Sequence, residues 1–185
     1  MIIDIAQAKI AIADKYKIFV NGQEAYRAAR KLWRFLAEVD LFTLDGHQPV
    51  LTIKKRFAFF KASYDVLIDD QAFPFTTRSL WKGVYHFDRG NDRYEIYAHR
   101  GRKYSIFRND LQVAWWDKAA ITVLAGDKYR ITADDDADTE LLIAFCLIVD
   151  NYASDDHDND AVTYNVGNLL QAKKFDSAWQ PRAGK

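Results

Sequence analysis

Cysteine is almost absent from this chain, and proline and glycine are scarce. The single thiol, Cys146, excludes an internal disulfide and any cysteine-based zinc site, which suits a reducing compartment. Three prolines and 8 glycines leave no long flexible linker or low-complexity tract to expect before the tail. Net charge is missing too, since 26 Lys and Arg balance 26 Asp and Glu. A zero balance lacks the basic footprint of a nucleic-acid binder, so no nucleic acid is expected as partner. The start MIIDIAQAKIAIADK has Asp4 and no basic cluster before an apolar core, so no secretory leader is expected. The longest apolar run, Leu141 to Val149, is nine residues, against about 20 for a spanning helix. The expectation is a cytoplasmic protein without a transmembrane segment.

Signatures of catalysis are also lacking. His47, His86, His99 and His157 lie far apart and share no metal-ligand spacing. No Gly-x-Ser-x-Gly, phosphate-cradling glycine loop or His-Glu-x-x-His occurs. A non-enzyme is the leading expectation. A small enzyme with a site at the mouth of the fold is the alternative, because sites are defined by geometry rather than by sequence order.

What is present is apolar surface arranged in alternation. Hydrophobic residues make up 49% of the 185 and aromatics 15%, enough for one domain with a sizeable core. Segments 16–33, 39–57, 64–81 and 94–110 each read as an alternating run, a turn and a second run, and 129–136 begins another copy. The turns are Asn21-Gly22, Asp45-Gly46, Asp69-Asp70 and Arg100-Gly101. Asn-Gly or Asp-Gly between alternating runs supplies the positive backbone angles of a tight hairpin. Segment 111–127 reads as one more pair of strands. The copies start 23 to 35 residues apart, too irregular for a solenoid. They predict a meander of hairpins closing into an antiparallel barrel, which also removes exposed sheet edges.

The run TELLIAFCLIVDNYA, 139–153, predicts a helix. Asp138 or Thr139 can cap it, and Glu140 puts negative charge in the first turn, where the helix dipole favours it. Nine apolar residues in succession cover every face, so the helix must be enclosed on all sides. In a chain of hairpins that enclosure is the barrel interior. Cys146 then behaves as a small core hydrophobe. Trp81, Trp115 and Trp116 read as packing rather than a stacking platform.

Together these pieces resemble the tubby C-terminal-like superfamily, most closely its LURP-one-related branch, which includes the phospholipid scramblases. The likeness covers residues 9–153. It is carried by YKIFVNG, VDLFTLDGHQPVLTIKKR, YEIYAHRGRKYSIFRND and DKYRITADDDADTELLIAFCLIVDNYA. The resemblance implies a mainly β fold: a closed barrel of about twelve antiparallel strands around one buried C-terminal helix. The expected domain is 1–153, followed by an acidic loop and tail at 154–185 with no counterpart.

Charge is unevenly placed despite its zero sum. Residues 1–133 hold 22 Lys and Arg against 15 Asp and Glu, whereas 134–160 hold 10 acidic residues and no basic ones. Such asymmetry marks either a partner surface or two faces attracting each other. Basic residues fall near hairpin ends: Arg30 and Lys31, then Lys54, Lys55 and Arg56, then Arg78, then Arg100, Arg102 and Lys103. Brought to one rim, they would suit the phosphates of anionic lipid, the role that resemblance to tubby domains implies. The candidate lipid-binding set is Lys54, Lys55, Arg56, Arg100, Arg102 and Lys103. An anionic membrane lipid or a protein is the expected partner of a monomer sitting peripherally at a membrane.

The acidic link 134–140 places Asp134, Asp136, Asp138 and Glu140 at alternate positions. Hard cations such as Ca²⁺ take several carboxylate oxygens from a short bendable segment, and scramblases have a proposed calcium segment at this place. The link is therefore the candidate metal site, with a calcium-responsive scramblase-like role as a further alternative. Asp156, Asp158 and Asp160 have the first spacings of an EF-hand loop. Ala161 stands where Gly is needed and Gly167 where a bidentate Glu is needed, so that match fails.

Overall fold

A computed structural model describes residues 1–10, 13–31, 38–56, 63–79, 83–118, 128–155 and 172–184. It contains twelve strands and one helix: β1 Ile2–Ile10, β2 Ala13–Val20, β3 Gln23–Arg30, β4 Glu38–Thr43, β5 Leu51–Arg56 and β6 Ser63–Ile68; then β7 Gln71–Ser79, β8 Val84–Arg89, β9 Asp92–His99, β10 Lys103–Arg108, β11 Leu111–Lys118, β12 Lys128–Ala133 and α1 Thr139–Asp155. Every strand pairs antiparallel with its sequence neighbours, and β1 pairs with β12 to close the barrel. Among the described strands closure leaves no edge open to another chain.

The helix is the axle of this barrel. All nine residues from Leu141 to Val149 are buried, Ala144 and Phe145 completely. Phe145 sits among Phe75, Phe87 and Tyr94 from three strands, with ring centroids 5.6, 5.1 and 5.5 Å away. Each such aliphatic or aromatic side chain contributes about 2 kcal/mol by leaving water, and those inside the barrel meet inward residues of the strands. The helix runs two residues beyond the expected end. Asp138 caps it, accepting the Leu141 N–H on Oδ1 at 3.0 Å.

Because each strand reverses the last, the barrel has two chemically different ends. Turns 21–22, 69–70, 90–91 and 109–110, the 44–50 loop and the β12–α1 link lie at what we call the turn end. Strands β3, β5, β7, β9 and β11 end, and β4, β6, β8, β10 and β12 begin, at the far end. Asn21-Gly22, Asp69-Asp70 and Asn109-Asp110 all have positive φ at both positions, as two-residue hairpins of this twist require. Asn, Asp and Gly tolerate that conformation best, so turn chemistry alone draws carboxylates to the turn end.

Three details differ from the sequence reading. Asp45-Gly46 forms no two-residue hairpin, since β5 does not begin until Leu51. Pro49 has no N–H for a ladder, and pairing resumes when Val50 donates to Leu41 O at 2.8 Å. In the β9–β10 turn the positive angles fall on Gly101 and Arg102, one residue later than expected. The segment 111–127 gives β11, which pairs with β10 and β12; its second half lies outside the described residues. Strands β1 and β8 lie outside the hairpin copies read from the sequence, and both complete the closed ring.

Candidate functional site

The β-meander carries the scattered basic candidates to one place. Lys54, Lys55 and Arg56 end β5, and Arg100, Arg102 and Lys103 form the β9–β10 turn and its exit. Both groups lie at the far end of the barrel, as do Arg30 at the end of β3, Lys31 after it and Arg78 near the end of β7. The two groups are not adjacent: β6, β7 and β8 separate them around the ring. Arg56, Arg100 and Arg102 are exposed, and Lys54, Lys55 and Lys103 partly so.

Some of these cations already have partners. Arg56 Nε lies 3.1 Å from Asp65, and Lys31 bridges the buried carboxylates of Glu38 and Asp40 at 2.6 and 2.8 Å. Lys103 Nζ sits over the rings of Trp115 and Phe175 at 5.6 and 5.2 Å. The largely exposed Arg56–Asp65 pair is worth at most about 1 kcal/mol and yields readily to a competing anion. Arg100 and Arg102 project from the turn beside them.

The acidic link is organised differently. Its carboxylates do not converge but take separate partners. Asp134, fully buried, receives Arg182 through Nε at 2.9 Å, through its N–H at 2.7 Å and through a second guanidinium nitrogen. Asp135 meets the Met1 ammonium at 2.7 Å, Asp136 meets Arg108 at 3.0 Å, and Asp138 meets Arg89 at 3.0 Å. Glu140 faces Tyr26 Oη at 3.5 Å. Burial, and then the Asp138 charge, raise the Glu140 carboxyl above the usual carboxylate range. Among the described residues no group of three or more His, Cys, Asp or Glu side chains is placed to hold a metal ion.

A cleft of about 340 Å³ on the outer wall is lined by Thr76, Arg78, His86 and Arg93. Its arginines are balanced by carboxylates on the same wall, Arg78 to Glu95 at 3.1 Å and Arg93 to Asp88 at 3.6 Å. Glu95 also accepts from Tyr97 at 2.7 Å. Burial, with that hydrogen bond second, pushes the Tyr97 phenol up to about 12.

Sequence reasoning missed the segment 172–184, which lies along the outer face of β9, β10 and β11. Phe175 stands edge-on to His99 and Trp115, with centroids 5.3 and 5.4 Å away. Lys173 Nζ sits 3.5 Å from the Phe107 ring centroid and 5.1 Å from that of Tyr97. At the other extremity Arg182 holds Asp134 and donates to Gln112 O at 2.8 Å. The available signal was compositional: Lys173, Lys174, Phe175, Trp179 and Arg182 end a chain whose preceding stretch is acidic.

The LURP-one-related family model matches residues 2–150, the whole barrel and most of its axle. The chain belongs to the LURP-one-related family. Its closed twelve-strand barrel with a packed C-terminal helix is the tubby-like architecture that the sequence resembles. The family match ends before the 172–184 segment, so this LURP-one-related chain carries its outer strap beyond the matched region. No curated protein and no solved structure gives a match. Among the described residues no helix is long and apolar enough to cross a membrane.

Proposed function

We propose that this LURP-one-related barrel is a non-catalytic binding or tethering module, a monomer that docks on anionic lipid headgroups with the far end of its barrel. The observation that carries the reading is topological. Every basic candidate, from Lys54–Arg56 to Arg100–Lys103, belongs to the end opposite the carboxylate-rich turns. A charge dipole along the barrel axis orients the domain on a negative surface, such as the inner leaflet of a plasma membrane, before any contact is made. The axle supports the same reading, because helix side chains fill the interior where a barrel enzyme would keep its pocket.

The test is co-sedimentation with vesicles of zwitterionic lipid alone and with a third of anionic phosphatidylserine added. Binding to the anionic vesicles only, weakening as salt rises, is expected. Each cation near such a surface contributes about 1 kcal/mol, so Arg100→Ser/Arg102→Ser weakens partition by about 2 kcal/mol, roughly thirtyfold. Equal binding of both vesicle types, or of neither, sinks the proposal.

A further inference from the structure

Among the buried polar groups that the docking surface does not use, His99 is the most unusual. It points outward from β9 yet is only 8% exposed. Its Nε2 is 2.7 Å from Ser105 Oγ on β10. Its Nδ1 makes no hydrogen bond of good geometry. The cover is the Phe175 ring, itself backed by Trp115. A neutral imidazole fits this place, with one nitrogen bonded and its ring against that of Phe175. An imidazolium would need acceptors on both nitrogens, and the Lys173 main chain offers Nδ1 only a poorly aligned one.

Several cations also stand near His99. On β10 its register partner is Lys103, which shares the Phe175 ring with it. On the strap Lys173 lies over Tyr97 and Phe107, the next outward side chains of β9 and β10. Arg100 follows His99 in the chain, and Arg102 completes the turn. None of the described carboxylates on these elements is bonded to the His99 ring. Asp117 on β11 stands opposite Lys103 in register, Glu95 takes Arg78 and Tyr97, and Asp176 accepts from the Ala178 N–H. Outward on β8, the position nearest this site carries the apolar Val84. Burial holds the imidazole below its ordinary value, and the Lys173 main chain opposes that shift only in part.

We propose that segment 172–184 is a strap that neutral His99 keeps closed over the β9–β11 wall, and that protonation of His99 opens its Lys173–Phe175 half. The two anchors then respond differently to acid. The Phe175 anchor depends on an imidazole without charge. The Arg182 anchor is a guanidinium on a buried carboxylate, with three further main-chain bonds: its N–H to Asp134, Asp135 N–H to its carbonyl at 3.1 Å, and its guanidinium to Gln112 O. The strap therefore swings from one end rather than leaving the barrel. Opening uncovers Ser105, Phe107 and the outer face of Trp115, close to the Arg100–Lys103 turn.

Linkage sets the sign. His99 titrates lower when the strap is closed than when it is open, where it approaches the ordinary value of about 6.5. Closure is fully stabilised above pH 6.5 and loses up to tenfold in its equilibrium constant per pH unit below it, until the closed-state value is passed. The test is an NMR titration of the full chain from pH 8 to pH 5, following the His99 ring and the amides of Lys174 to Asp176 and Arg182. The expected result is a shift of the 174–176 amides toward exposed positions with the midpoint of His99, while the Arg182 amide stays put. In His99→Gln that transition vanishes. In Phe175→Ala, which removes the cover and spares the barrel core, the His99 midpoint rises toward 6.5. A 174–176 transition that persists in His99→Gln, amides that do not move in the wild type, or an unchanged midpoint in Phe175→Ala would each overturn the proposal.

Discussion

The two ends of this barrel are made from the same alternation of strands and connections, yet they carry opposite chemistry. The turn end is rich in Asp and Asn because two-residue hairpins need positive φ there. Its charges are then taken up internally: Arg182, Arg108 and Arg89 each reach a carboxylate of the β12–α1 link. The far end collects Lys and Arg at its strand ends, several of them exposed. One end spends its charge on holding the fold, while the other leaves charge at the surface. Substitutions at the two ends should therefore differ in what they damage.

The largest effect removes the contrast altogether by breaking the axle common to both ends. Ala144 is completely buried among apolar side chains. In Ala144→Asp an unpaired charge would lie in the core, at a cost on the order of 5 kcal/mol, comparable with the stability of a whole domain. Circular dichroism should show an unfolded or aggregated chain. A soluble Ala144→Asp protein with native far-ultraviolet signal and a cooperative melt would refute the buried axle.

The next effect belongs to the turn end. Arg182→Met keeps much of the side-chain volume but removes the guanidinium from the Asp134 carboxylate, which has no exposure of its own and keeps only the residue-182 N–H of these donors. Breaking a buried pair from one side costs about 3 kcal/mol, read as a lower urea midpoint. Asp134→Asn in the same chain should recover part of that loss, since an amide tolerates the vacated site better than a charge. Equal midpoints for the wild type and Arg182→Met would show that the strap's anchor does not stabilise the turn end.

How far the sequence discloses this molecule depends on the range of the forces involved. The axle is plain from nine consecutive apolar residues, because no other environment accepts a helix without a polar face. Tight turns are plain where Asn-Gly supplies the needed angles. Strand β1 was hidden because its alternation is diluted by Ala6 and Gln7, and β8 because it is a short run between Gly83 and Gly90. The Asp45-Gly46 signal misleads for a local reason, Pro49. The strap was beyond reach for a different one. Arg182 and Asp134 stand 48 positions apart, and no periodicity links a guanidinium to a carboxylate at that separation. The acidic link looks the same in sequence whether its carboxylates converge on a cation or disperse to separate partners. Basic candidates were visible one by one, but only the strand order decides that they share an end.

A smaller effect tests the cap of the axle. Asp138 accepts the Leu141 N–H and also pairs with Arg89. Asp138→Ala should cost about 1 kcal/mol, the usual worth of an N-cap, whereas Asp138→Asn should lose less because an amide oxygen still caps. Urea midpoints that fall equally in both variants would assign the loss to the Arg89 pair rather than to the cap.

The smallest effect on stability is expected at the far end, and it is the one that separates the two ends most sharply. Arg100→Glu/Arg102→Glu changes the charge by four in a turn whose side chains are exposed. Surface substitutions of this kind fall within about 0.5 kcal/mol in stability, and at the positive φ of Arg102, Glu carries the same Cβ as Arg. The same change should abolish binding to anionic vesicles, because reversal replaces attraction with repulsion at the docking face. Asp69→Lys/Asp70→Lys reverses charge by the same amount at the turn end and should leave vesicle binding intact or strengthen it, while lowering the urea midpoint, since Lys is poorer than Asp in a two-residue hairpin. If both pairs altered vesicle binding alike, net charge and not the far end would govern the contact, and the barrel would have no docking face.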